Sequence, residues 1–378
     1  MPRDPAMTVA AVQLRNFRTY ARAEARLGDG LTVVHGANGA GKSNLLEAIY
    51  YGCTGRSPRT RNERELIRFG EQAARVTVRL RGEDGPHVLA IGFGSDGAGG
   101  PPRKRMTADG AEVERLLDVP DRPLLSVFLP DRLELLKGPP AVRRGHLDQL
   151  VAAIWPARVA TRREYSRVLA QRNALLGRIR SGAASTGTLG AWDRELAVNA
   201  LALRAERAEA VELLVEPFRE RAGRLGLAGD ASLEYRSRTR AADVEELCAE
   251  LQERLAGDLE RGFTGHGPHR DELAIRRDGR ELRTYGSQGE QRLALLALLL
   301  AEREVLAAER GRTPLMLLDD VMSELDADRR ELLAGDLRAS GQSVIATTDV
   351  AHVPGATGEA VTRLRVSPGA ILQEALAA

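Results

Sequence analysis

The chain has 378 residues, of which 43% are hydrophobic and 29% charged, with a formal net charge of +2. That length suits two domains, or one α/β core with a sizeable insertion, and the composition excludes a disordered or fibrous chain. Near-neutral charge by itself argues for no nucleic acid, and 2 cysteines are too few for a disulfide framework or a zinc site.

Residues 1–7 lack the apolar core of a signal peptide, and the longest apolar run, 293–301, is half of what a bilayer requires, so a cytoplasmic protein is expected. Residues 8–14 alternate as a strand, and 31–34 form an apolar strand ahead of a glycine-rich turn and a helix over 44–51. Strand, glycine loop and helix in that order begin a P-loop fold. Residues 74–81 and 88–93 predict strands joined at Gly85-Pro86, and 94–102 reads as a loop. A basic strand, 103–107, then ends at an Asp109-Gly110 turn. From about residue 148 the period becomes helical. One helix carries Val159, Arg163, Ser166, Leu169, Leu176 and Ile179 on a face and breaks over 181–190. A second, 191–218, has Leu196, Leu203, Val211 and Leu214 on its apolar side. Two long helices around a short polar loop predict an antiparallel hairpin. The α/β pattern resumes near Glu272 with an Asp278-Gly279 turn, followed by a helix over 289–309 and buried strands at 315–318 and 343–347. Sheet elements at both ends predict one α/β head assembled from residues 1–130 and 263–378, with a helical arm, 131–262, inserted between them.

Gly36-Ala37-Asn38-Gly39-Ala40-Gly41-Lys42-Ser43 fits the pattern G-x-x-x-x-G-K-[ST] without a mismatch. Its glycines let backbone N–H groups wrap phosphates, and the helix that begins here with Asn44 aims its positive end at them. Lys42 would reach the β- and γ-phosphates of ATP, and the Ser43 hydroxyl would bind Mg²⁺. Only 3 lysines occur in the whole chain, which makes a chance match rare. Residues 315–320 are four apolar residues ending in Asp319 and Asp320. A buried strand that delivers an acid at its C-terminal end is how P-loop folds hold the second magnesium contact, the role expected of Asp319. Asp320 stands where ABC ATPases usually place a glutamate that polarises the attacking water. Ser287-Gln288-Gly289-Glu290 opens the long helix about 30 residues before that strand, in the place of the ABC signature. Ser287 and Gly289 there offer a hydroxyl, free N–H groups and a positive dipole end, a second phosphate site. Ser287 followed by Glu290 also spells a capping box. One polypeptide of that fold cannot bring both its P-loop and this segment to one nucleotide, so an ATP-dependent homodimer is implied.

Over nearly its whole length the chain resembles the RecF family of DNA-repair ATPases. Asn16-Phe17-Arg18-Thr19-Tyr20 is similar to the family's N-terminal motif, which implies Arg18 near the nucleotide phosphates. Residues 55–60 and 65–68 resemble the segment behind the P-loop helix, 128–133 with 142–144 the Q-loop region, and Tyr165, Leu169 and 171–176 the first arm helix. Gly267-Pro268-His269-Arg270-Asp271-Glu272-Leu273 is similar to another motif of this family. Ser323-Glu324-Leu325-Asp326 resembles the D-loop, which adds Asp326 to the nucleotide contacts, and Thr347-Thr348-Asp349 lies where other ABC proteins have a switch histidine. The signature departs from the transporter Ser-Gly-Gly-Gln, and Asp320 is one methylene shorter than the usual base.

The resemblance implies an ABC-type head with a short antiparallel coiled-coil arm, and slow ATP hydrolysis used as a switch. It also implies binding to DNA at gaps or single-strand/double-strand junctions, and cooperation with RecO and RecR in loading RecA. His269 is expected to serve structurally. Arg103-Lys104-Arg105 is either a DNA contact or a solvated strand edge, and Arg56, Arg59 and Arg61 are the favoured DNA face. A transporter subunit would separate Lys42 and Ser287 by much less, a chromosome-maintenance tether would carry far longer arms, and a nuclease fusion would need a metal-binding domain beyond Asp349.

Overall fold

The computed structural model describes residues 7–95, 101–119 and 122–374. Residues 1–6 and the centre of the expected 94–102 loop lie outside that set. The chain divides into two compact units, Met1–Arg132 with Leu306–Ala378, and Leu133–Val305.

The first unit holds two six-stranded sheets. One is antiparallel, in the order Tyr20–Arg26, Thr8–Phe17, Ala73–Gly82, Gly85–Gly94, Arg103–Ala108, Ala111–Glu112. The other runs Ala370–Gln373, Thr362–Ser367, Leu31–His35, Ser343–Thr347, Leu315–Asp319, Leu125–Phe128, and is parallel except at its Ala370–Gln373 edge. Its central strands 315–319 and 343–347 are buried at every position, as parallel strands covered on both faces must be. Helix Lys42–Thr54 lies in one continuous core, its Leu45, Leu46 and Ile49 packed with Val12 and Val76 of the first sheet and Leu317 and Val344 of the second. Burial in that core pushes the Cys53 thiol up to about 12, so it stays an inert apolar filler. Strands from both ends of the chain therefore share a single sheet. The pair 362–367 and 370–373 was not foreseen in the sequence, although Pro368-Gly369 marks the turn between its strands; only Leu364 and Val366 of its apolar residues are buried.

In the second unit, helices Val159–Arg180 and Leu189–Arg224 pair through Thr161–Glu206, Arg167–Glu195 and Arg172–Asp193, with Arg158–Glu209 just before the first helix. One number rises as the other falls, so the helices are antiparallel. The second helix buries Leu196, Leu203, Val211 and Leu214 as its period predicts, and continues through Pro217. Of the predicted face the first fully buries only Leu176; its other inner residues are Tyr165, Val168 and Arg172. Arg172 is fully buried and neutralised by Asp193 and Asp258, so a charged residue occupies a core position that apolar periodicity cannot reveal.

A third sheet orders Arg280–Glu281, Glu272–Arg277 and Ala231–Arg236. Here the expected boundary at 263 differs from the structure. Strand 272–277 pairs with 231–236 rather than with any head strand, and the compact unit runs to Val305. Among the described residues no helix is long and apolar enough to cross a membrane.

Candidate nucleotide site

Strand Leu31–His35 ends at Gly36, whose φ is 155° and whose Cβ, were there one, would stand 2.2 Å from the Val366 carbonyl oxygen. Only glycine fits there. Gly41 has φ 117°, and a Cβ would meet Tyr20 Oη at 2.8 Å. Between them Ala37, Asn38 and Gly39 are exposed and Ala40 is buried. Helix Lys42–Thr54 then starts with no side-chain cap and no acid in its first turn. Its first N–H groups and the positive end of its dipole are open to an anion. Lys42 Nζ donates to the Gly36 and Ala37 carbonyls at 2.8 and 3.0 Å, folded back over the loop that it would share with phosphate.

Ser343–Thr347 is the one strand between Leu31–His35 and Leu315–Asp319 in this parallel sheet. Asp319 therefore emerges at the carboxyl ends of the strands, on the side where open α/β sheets bind ligands. The Ser43 hydroxyl lies beside it. Burial holds its carboxyl above the ordinary range, opposed by the Ser43 hydroxyl and the Arg59 and Lys42 charges and reinforced by Asp320. Asp320 follows with φ 52°, its N–H on the Ala346 carbonyl at 3.0 Å. Its Oδ1 is buried with no hydrogen-bond partner. An orphaned carboxylate oxygen beside an uncapped helix is a place for a water or a ligand. A magnesium nucleotide fits these residues: a loop that excludes Cβ atoms, a bare helix end, a Ser43–Asp319 pair and one unused acceptor. No group of three His, Cys, Asp or Glu among the described residues could hold a metal alone, so the ion would lean on phosphate oxygens, as Mg²⁺ commonly does.

Arg18 does not stand free. It begins the turn between Phe17 and Tyr20 at φ 51°, and its Nε and Nη2 donate to the two oxygens of Glu47 at 2.9 and 2.8 Å. Its Nη1 takes the Glu65 carbonyl at 2.8 Å. The guanidinium is thus held by Glu47 of helix Lys42–Thr54 and by the Glu65 carbonyl. The neighbouring residues do touch the loop: Asn44 Nδ2 donates to Thr19 Oγ1 at 3.1 Å, and Tyr20 Oη to the Gly41 carbonyl at 3.0 Å.

Glu47 is the residue that sequence reasoning missed. It is fully buried on the P-loop helix and also accepts from Ser57 Oγ at 2.6 Å and Arg59 Nη1 at 3.2 Å. Arg59 binds Asn44 Oδ1 at 3.1 Å as well, so this arginine faces the nucleotide loop rather than lying free for DNA. The available signal was a charged residue among Leu45, Leu46, Ala48 and Ile49, a position that needs a partner wherever the helix is buried.

In the second unit the capping box is realised. Ser287 N donates to Glu290 Oε2 at 2.7 Å, and Glu290 N to Ser287 Oγ at 3.3 Å. The Ser287 N–H first, and then Arg277, hold the Glu290 carboxyl below the ordinary range. Gly289 is exposed, and a Cβ on it would meet nothing within 4 Å. In the first unit, Asp326 caps helix Ala327–Ala339, accepting from Arg329 N at 3.0 Å. Thr347 and Asp349 bind each other across a tight turn.

His269 is structural. Its Nδ1 accepts from Tyr165 Oη at 2.6 Å while Nε2 donates to the Thr264 carbonyl at 2.9 Å, and burial lowers its pKa, so the ring is neutral. Lys104 is held by Glu63 and the Gly55 carbonyl, which takes it out of the basic strand's candidate DNA contacts.

A family model described as an AAA domain matches residues 11–115. Over 354 residues the chain is 36% identical to the DNA replication and repair protein RecF of Heliobacterium modesticaldum, covering 92% of this chain and 93% of that one. With the RecF of Herpetosiphon aurantiacus it shares 37% over 382 residues, covering 97% and 99%. A solved structure of the recombination mediator protein RecF with ATP, in the RecFOR pathway, superposes with a TM-score of 0.85 at 28% identity over 98% of both chains. An Smc head bound to the C-winged helix domain of ScpA reaches 0.59 at 18% identity, a likeness of fold.

Proposed function

The chain belongs to the RecF family of DNA replication and repair proteins, and from that premise we propose how its residues run an ATP-driven switch on DNA. It is a RecF-like, ATP-dependent mediator of DNA repair and recombination. The observation that supports the ATP chemistry most is the meeting of Lys42, Ser43, Asp319 and Asp320 at the carboxyl ends of one parallel sheet. Residues 36–44 wrap the phosphates with backbone N–H groups, and Lys42 exchanges two loop carbonyls for phosphate oxygens. Ser43 and Asp319 are the protein ligands for Mg²⁺, which when bound draws charge from the phosphates. Asp320 Oδ1, with no donor of its own, orients the attacking water and accepts its proton. Being a methylene shorter than glutamate it reaches less far, and hydrolysis is slow. Arg18 acts one step back, fixing Glu47 and through it the P-loop helix.

A second copy supplies Ser287, Gly289 and Asp326 to the same nucleotide. Packing does not demand glycine at 289, and an exposed helical glycine is unfavourable by up to about 1 kcal/mol, which favours the close approach of an outside group as its reason. The dimer holds DNA at gaps or single-strand/double-strand junctions and, with RecO and RecR, helps load RecA in the cytoplasm. The test is equilibrium titration of ATP with Lys42→Ala, and sedimentation with and without ATP and gapped duplex. Loss of most nucleotide affinity in a folded variant, and an ATP-dependent dimer of the wild type, are expected. Unchanged ATP binding by the variant would overturn the P-loop assignment.

A further inference from the structure

Most of the segment 267–273 is tied up internally. His269 bonds Tyr165 and Thr264, Asp271 accepts from Tyr235 Oη and Arg238 N, Glu272 takes Arg143, and the Pro268 carbonyl takes Arg207. Arg270 is the exception. Its guanidinium meets no acid or carbonyl among the described residues and lies 5.7 Å from the ring centroid of Phe263, a side chain 39% exposed. Arg261 approaches the same ring at 5.9 Å. Helix Leu255–Arg261 ends on Gly262 at φ 78°, and Arg180 covers that glycine, where a Cβ would stand 2.6 Å from its Nη1. The acid in contact with this cluster is Asp258, which is buried and already shared by Arg172, Arg261 and the Gly265 N–H. What reaches solvent is a half-exposed aromatic ring among three arginines, set on a hydrogen-bonded platform.

Clustered cations favour a polyanion, and an exposed ring favours a flat partner. A single strand of nucleic acid carries both, phosphates for the guanidiniums and an unpaired base for the ring. A duplex hides its base faces, and an acidic peptide has charge without the ring. We propose that Phe263, with Arg180, Arg261 and Arg270, forms a binding surface for single-stranded nucleic acid, one base stacking on the ring and the flanking phosphates meeting the arginines. This deepens the DNA-binding reading above and rests on it.

The test is titration of the full-length protein with a labelled oligothymidylate, and with an abasic strand of equal length, at several salt concentrations. Phe263→Ala weakens oligothymidylate binding between about fivefold and a hundredfold, with the salt slope unchanged. The same variant leaves the abasic strand unaffected, and Phe263→Trp restores the loss. Arg270→Gln instead lowers the salt slope by about 0.7 on both strands, because it removes one phosphate contact. ATP binding and the melting temperature of each variant report that the fold is intact. Wild-type affinity in both variants, equal losses on the two strands, or displacement of the oligonucleotide by polyglutamate at equal charge concentration would sink the proposal. A wild type that binds neither strand nor gapped duplex removes the DNA-binding reading itself; a wild type that binds while the variants match it removes only this surface.

Discussion

Two buried acids near the P-loop make opposite demands on the fold. Asp319 is raised chiefly by burial, so its ionised form disfavours the folded state. The penalty is absent below the unfolded value of about 3.9 and grows as pH rises through the folded value. Asp319→Asn without nucleotide should therefore melt above the wild type at neutral pH, with the gap closing toward about pH 4. Thermal melts across that range check the sign, and a gap that widens toward acid would contradict the burial argument. Glu47 is the reverse case, a buried anion answered by Arg18 and Arg59. Glu47→Ala strips the counter-charge from two guanidiniums and should cost about 3–5 kcal/mol in urea unfolding, against much less for an exposed acid such as Glu245.

At the scale of elements, legibility followed contiguity. The P-loop, the strand ending in Asp319 and the helix beginning at Ser287 each carry their chemistry within eight consecutive residues or fewer, so sequence alone located them. Glu47 was hidden because its partners Arg18, Ser57 and Arg59 come from separate segments. Strand Ala231–Arg236 was hidden because its partner Glu272–Arg277 lies more than thirty residues further on, and that pairing moved the boundary of the arm. The inner face of the first arm helix was misread where Arg172 replaces an apolar residue. Arg172→Ala leaves Asp193 and Asp258 buried and uncompensated, and a loss of about 3–5 kcal/mol in denaturant midpoint analysis is expected. Gly289→Ala tests the proposed dimer role of the helix that begins at Gln288. It should stabilise the protein alone by a few tenths to about 1 kcal/mol while weakening ATP-driven dimerisation. Stabilisation together with full dimerisation would mean that nothing approaches Gly289 closely.

For the whole molecule, a net charge of +2 means that DNA affinity must come from localised arginines brought together, not from a general field. On the proposed ATP-held dimer, two weak basic faces would act as one site through effective concentration. Binding of gapped duplex should therefore require ATP and fall with salt at a slope of roughly −0.9 per phosphate neutralised. The internal bonds of Arg59 divide the expected trio 56, 59 and 61. Arg56 and Arg61 are exposed and make no ion pair among the described residues, whereas Arg59 serves Asn44 and Glu47. The double variant Arg56→Ala with Arg61→Ala should flatten the salt slope by about 1.8 and leave ATP affinity alone. Arg59→Ala should instead lower ATP affinity, since it loosens the first turn of the P-loop helix. Titrations at several salt concentrations, with ATP and without it, separate these effects. An unchanged slope in the double variant would move the duplex contact elsewhere, and equal DNA affinity without nucleotide would end the switch reading, because dimerisation would then contribute nothing to the grip.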